Sequence, residues 1–134
     1  MKRTIALALG LALAGCATTG EAPLGAKPPS PASAVRAYIQ QTFFDPAAVR
    51  DAQITEPFVA STYWSDVSLP SPAWAVCLRA NGKNRFGAYT GAQFTLLRIE
   101  NGRVTAALND ARYGAYAGMG QAHQNCPNRT YRPL

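Results

Sequence analysis

Apolar and polar residues change period several times along this chain, and each change marks an element. The first is a solid apolar run: Thr4 to Ala14 carries leucine, isoleucine and alanine without a charge, behind Met1-Lys2-Arg3. It is shorter than the ~20 residues that cross a bilayer as a helix. A basic start, an apolar middle and a small-residue end are those of a secretory signal, so residues 1–15 read as an address. Residues 16–32, CATTGEAPLGAKPPSPA, have no apolar anchors and read as a flexible tether. Residues 33–134 read as a single globular domain.

Within that domain Ala34, Val35, Tyr38, Ile39, Thr42 and Phe43 recur at three and four, one face of a helix. Ser30-Pro31 or Ser33 starts it, and it ends before Asp45-Pro46, which opens one more helical turn over Ala47 to Arg50. Gln53 to Ala60 fits a strand broken at Pro57, hence an edge. A polar loop follows over residues 61–72. Trp74, Val76, Leu78 and Ala80 then alternate with Ala75, Cys77, Arg79 and Asn81, a strand with one apolar face. Beyond the glycine-rich stretch Gly82 to Gly91, two apolar runs flank Asn101-Gly102, a strong hairpin signal. The tail after Asp110, through Tyr113 and Tyr116 to Cys126-Pro127, reads as a loop or short helix tied down rather than a strand. The predicted fold is α+β: an N-terminal helix packed on a small antiparallel meander of three to four strands, with one disulfide.

Composition narrows the function classes. With 134 residues, 48% hydrophobic and 15% charged, the chain is one small domain and not a disordered one. Two of its 13 basic residues, Lys2 and Arg3, leave with the signal, so 11 face 7 acidic ones and the net charge falls from +6 to +4. Those cations are scattered, which gives no footprint for nucleic acid. His123 is the one histidine, which rules out a multi-histidine metal site, and no cofactor motif is present. There is no Gly-x-Ser-x-Gly, no His-Glu-x-x-His and no phosphate loop, so the chain is expected not to be an enzyme.

The cysteines carry more. Leu13-Ala14-Gly15-Cys16 resembles the lipobox of bacterial lipoproteins. That resemblance implies cleavage before Cys16, a diacylglycerol thioether on its sulfur and an acyl chain of the palmitate kind on its amine. Two or three chains hold a protein at a membrane where one holds only marginally. Ala17, where an aspartate would favour the inner membrane, implies the outer membrane, with the domain facing the periplasm. Cys77 and Cys126 remain, and in an oxidising compartment they are expected to pair. Closing a loop of roughly 50 residues is worth about 4 kcal/mol in the chain-entropy model. The alternatives are a Cys77 nucleophile with His123 as base, two free thiols, or a metal held by two cysteines and a histidine without a fourth ligand.

The densest chemistry lies in residues 77–91, CLRANGKNRFGAYTG. Asn81, Lys83, Asn84, Arg85 and Tyr89 form a candidate binding loop, with glycines that allow φ > 0. In the competing view Phe86 and Tyr89 plug the end of the core while the asparagines bond to turn backbone. Cys77-x-x-x-Asn81-x-Lys83-Asn84-x-Phe86-Gly87-x-Tyr89-Thr90-Gly91 resembles a segment of small exported proteobacterial proteins of uncharacterised function. Those also carry an upstream stretch like Asp45-Pro46-x-x-x-Arg50-Asp51. The resemblance implies a shared fold and loop and brings no activity with it. The expected function is that of a non-catalytic envelope lipoprotein, an accessory or interaction subunit for another envelope component. The alternative is a small-ligand or glycan-binding module that uses the 81–91 loop, with Tyr89, Phe86, Trp74 or Trp64 stacking on sugar faces and Asn81, Asn84 and Lys83 bonding hydroxyls or carboxylates.

Replacing the attachment residue tests the anchor. Cys16→Ser is expected to move the protein from the membrane fraction to a soluble or unprocessed form. Intact mass spectrometry of the wild-type chain should show an acylated Cys16, and an unmodified N-terminus at that residue rejects the lipobox.

Overall fold

The strand on which the rest is arranged is β3 (Ser71–Lys83). Its middle, Ala75 to Leu78, is buried at every position, so both of its faces meet apolar cover. The computed structural model describes residues 24–64, 70–109 and 120–134. The signal over residues 1–15, the Cys16 attachment point and the start of the tether lie outside the described residues. So do residues 65–69 of the expected polar loop and the Tyr113 and Tyr116 stretch of the tail.

Among the described residues six strands form one sheet whose pairings are antiparallel. β4 (Tyr89–Glu100) and β5 (Arg103–Asn109) continue it on one side of β3. β1 (Arg50–Thr55) and β2 (Phe58–Thr62) share the other side, and β6 (Tyr131–Pro133) lies beyond β1. Ile54 sits opposite Leu78, Phe58 opposite Ala75 and Thr62 opposite Ser71. β1 and β2 are thus one row of chain broken at Glu56-Pro57, where proline has no N–H to give a ladder. The β4–β5 turn has Asn101 at φ 50 and Gly102 at φ 71, as a two-residue hairpin requires.

Helix α1 (Ala32–Thr42) covers one face. Its Val35 and Ile39 meet Ile54, Val76, Leu78, Leu97 and Ile99. Pro31 occupies the position before the helix, and its carbonyl accepts the Val35 N–H at 3.0 Å. A 3₁₀ turn, Pro46–Ala48, joins α1 to β1.

The opposite face is covered by Trp64 and the C-terminal tail, which bury Ala75, Cys77, Leu96, Ala106 and Leu108. A short helix α2 (Gln121–Asn125) delivers Cys126 to Cys77, with 5.7 Å between their α-carbons. The Tyr131 hydroxyl donates to the Cys126 carbonyl at 3.0 Å, and its ring lies 5.9 Å from that of Phe94. The Thr62 hydroxyl donates to the Gln121 side-chain carbonyl. The Arg129 guanidinium stacks on Phe58, 3.2 Å from the ring centroid.

The helix on a meander of three to four strands is therefore overturned: the domain is mostly a six-stranded sheet with one substantial helix among the described residues. Three physical causes account for the difference. Pro57 divides one expected strand into two. β6 is three residues long, too short for any periodicity to announce it, and it docks on β1 through pairs such as Ile54 with Arg132. That flank also means that β1 is not an edge. Finally, Gly82 and Gly91, read as the ends of a glycine-rich loop, lie inside β3 and β4. Gly82 is there because a Cβ would come within 2.9 Å of the Phe43 ring.

The tail's hold yields two expectations. Replacing both Cys77 and Cys126 by alanine should cost about 2–5 kcal/mol in denaturant unfolding, the range for losing a disulfide in a small domain. Burial pushes the Tyr131 hydroxyl up from 10.0 to about 12, against the pull of Arg129 and Arg79 on the phenolate. The folded state therefore favours the protonated phenol. That stability is complete below pH 10 and is lost as the pH climbs toward 12, which an ultraviolet titration paired with thermal melts would follow.

Candidate functional site

The two stretches singled out by sequence, Asp45 to Asp51 and Asn81 to Gly91, meet at the end of the sheet where β3 turns into β4. The long β3–β4 hairpin carries the second stretch, and the 3₁₀ turn with the start of β1 carries the first. Arg50 pairs across the ladder with Asn81. Its guanidinium lies over Tyr89, 4.1 Å from the ring centroid. Lys83 Nζ approaches the same ring at 5.4 Å and lies 3.6 Å from the Asp45 carboxylate. The Tyr89 hydroxyl donates to the Ala48 carbonyl at 2.9 Å. Tyr89 therefore ties the 3₁₀ turn to the hairpin by its ring and its hydroxyl, with each cation contact worth about 0.5–1 kcal/mol at a half-exposed site.

Asn84 builds the hairpin tip. Its side-chain oxygen accepts the N–H of Phe86 at 3.0 Å and of Ala88 at 3.1 Å. Its backbone N–H donates to the Ala88 carbonyl, and its carbonyl accepts from Gly87. Such an Asn-centred turn replaces lost ladder bonds with side-chain ones. Gly87 completes it at φ 78, where a β-branched residue would be strained. The result is a fixed loop of five residues, 84–88, shorter than the sequence suggests.

Phe86 points away from the protein on this scaffold and is 85% exposed, so it plugs nothing. Arg85 beside it is exposed too. The other half of the plug expectation fares better: Tyr89 is half-buried and the asparagine bonds to turn backbone, although the ring seals the 3₁₀ turn rather than the core. Of the five candidate binding residues, Arg85 is free for a partner and Lys83 is partly committed to Asp45. Asn84 and Tyr89 are spent on structure. Asn81 is half-buried, and its Oδ1 is buried with no hydrogen-bond partner among the described residues.

Beside the loop lies a cleft of about 560 Å³ between the end of α1 and strands β3 to β5. Of residues 81–91, Gly82, Lys83 and Thr90 line it. Tyr38, Phe43 and Phe44 give it aromatic walls, and Gln93 adds an amide. Phe44 is 66% exposed on its rim. Sequence reasoning passed over Phe44 as a site residue, whereas Phe86 enters it both as a core plug and as a ring to stack on a sugar face. Phe44 follows Phe43 directly and so falls off the helical stripe, which was the available signal.

Other chemistry weighed from sequence resolves simply. Cys77 is bonded to Cys126 and is no thiol nucleophile. His123 is an exposed residue in the last turn of α2. No group of three or more metal-ligating side chains occurs among the described residues.

The turn's role can be separated from the exposed tip. Asn84→Ala should cost about 1–2 kcal/mol in chemical denaturation, for two side-chain bonds lost, and Tyr89→Phe about 1 kcal/mol for one. Phe86→Ser should change stability by no more than about 0.5 kcal/mol. A large loss for Phe86→Ser would return that ring to the core.

No protein-family model, curated protein or solved structure matches this chain, so the site is read from its own geometry.

Proposed function

We propose that this chain is a non-catalytic envelope lipoprotein, anchored through Cys16 in the outer membrane and facing the periplasm. Its domain is an interaction subunit that meets a protein partner with the β3–β4 tip. One observation carries the reading: Phe86 stands 85% exposed on a loop that Asn84 and Gly87 hold rigid. A large apolar ring held in water on an ordered turn loses little conformational entropy when a partner covers it, and an arginine neighbour adds directional bonds. Rigid presentation of this kind costs solubility and serves nothing in the monomer's core.

The distance between anchor and tip supports the same reading. Trp74 near one end of β3 hydrogen-bonds to Gly25 of the tether side, and Phe86 lies past the other end. The nine residue-to-residue steps from Trp74 to Lys83 span roughly 30 Å at the usual rise. The tip is thus displayed away from the anchored end.

A second reading, a small-ligand or glycan module, is favoured by the cleft beside the loop. Its aromatic walls suit a sugar face, and Lys83, Thr90 and Gln93 suit hydroxyls or a carboxylate.

Capture from detergent-solubilised envelope decides between the two. Wild-type protein is expected to retain a specific protein that Phe86→Ser and Arg85→Ala lose, with melts unchanged. Retention of muropeptides or glycans without protein, abolished by Gln93→Ala and untouched by Phe86→Ser, gives the site to the cleft.

A further inference from the structure

At the end of the sheet opposite the tip, α1 leaves part of one face bare. Val59 of β2 lies directly across the ladder from Trp74 of β3. Tyr63 follows Val59 at even spacing and so takes the same side. Val59 is 47% and Tyr63 58% exposed. Residues 24–30 cross this end: the Gly25 carbonyl accepts a bond from Trp74 Nε1 at 2.7 Å. Leu24 and Lys27 line a cleft there with Trp74 and the Asn101-Gly102 turn. Leu24 is a further exposed apolar residue, at 39%.

We infer that this end of the domain rests on the surface of the bilayer, with Leu24, Val59 and Tyr63 in the headgroup region and Lys27 against lipid phosphate. The inference rests on the lipid-anchor reading. Chain length is its first support. Leu24 lies eight residues after Cys16 in the sequence. Fully extended, that stretch reaches about 29 Å at most, so an anchored Cys16 keeps the Leu24 end close to the bilayer while the tip is farther by the length of β3. The residue types are the second. Tyrosine and tryptophan, apolar rings with a polar handle, are the side chains that membrane interfaces select. Lysine contributes through its attraction to anionic headgroups. Clustering is the third: exposed apolar residues scattered singly need no explanation, and several gathered at the one end tied to the anchor do.

The test uses full-length lipidated protein in vesicles of phosphatidylethanolamine and phosphatidylglycerol, with and without bromine on the upper acyl carbons. Tyr63→Trp places a reporter at the proposed contact, Val59→Trp repeats it should the first fold poorly, and Phe86→Trp reports from the tip. Bromolipid is expected to remove roughly half of the emission added by Tyr63→Trp, since an interfacial ring sits at the headgroup–acyl boundary, and to leave Phe86→Trp unchanged. Protein that floats with the vesicles but shows no quenching at Tyr63→Trp or Val59→Trp overturns the orientation and leaves the anchor standing. Equal quenching at the tip overturns it as well, because the domain would then lie flat. Protection of Tyr63 from iodination in native envelopes, with no quenching in vesicles, assigns the face to a protein and also overturns it. Failure to float overturns the anchor and this inference together.

Discussion

Burial of β3 on both faces is the constraint from which the other features follow. A strand with one wet face could have stood on α1 alone. Here Val76 and Leu78 face the helix while Ala75 and Cys77 face the other way, and all four are removed from water. The second face needs a cover, and the chain has no second long helix among the described residues to provide one. The tail serves instead. Alone it would be a poor cover, because five residues of helix and three of strand bury little apolar area. Three kinds of bond compensate: the covalent one at Cys126, the phenol of Tyr131 on the Cys126 carbonyl, and the ladder between β6 and β1.

The far end of β3 obeys a different rule. Beyond Ala80 the core thins out, and polar groups take over the work of order. Opposite Asn81 to Lys83 the register slips by an extra residue in β4, and between Arg50 and Gln53 by one in β1, so both neighbours of β3 bulge where they leave the core. Bulges strengthen local twist and re-aim side chains. Here they accompany the convergence of Arg50 and Lys83 on one tyrosine ring and the close approach of Phe43 to Gly82. Asp51 at φ 52 belongs to the same irregular stretch. Order at this end therefore rests on cation–ring contacts and on a single asparagine, and the apolar ring of Phe86 is left over.

How far the sequence reveals this depends on the range of each interaction. Features fixed by neighbours in the chain were legible: the helical stripe of α1, the Asn101-Gly102 hairpin, the 3₁₀ turn after Asp45 and the pairing of the two cysteines left beside Cys16. Features fixed by distant partners were not. The second face of β3 looks polar or neutral in a linear reading, because alanine and cysteine are small and only Trp64 and the tail make that side a core. β6 exists because Ala52 accepts the Leu134 N–H and Arg132 lies opposite Ile54, neither visible in a run of Tyr-Arg-Pro. Glycines read as a loop lie within strands, one of them making room for the Phe43 ring at the end of α1. Residues 81–91 do gather at one end of the sheet with the start of β1, but which of their side chains bond within the turn and which stay exposed was not legible, since Asn84 and Arg85 differ only in what surrounds them.

The flank that β6 gives β1 has a consequence for when the protein becomes safe from self-association. An unpaired strand invites pairing with another chain. β6 reaches its place through a tail whose strongest tie is Cys126, so a thiol form of the chain holds its final strand loosely and keeps β1 open on one side. Oxidation then does more than add stability: it exchanges β1 at the sheet's border for a strand of three residues, too short to recruit another chain. In reducing surroundings that exchange would wait, and it would be completed only where the two thiols can oxidise.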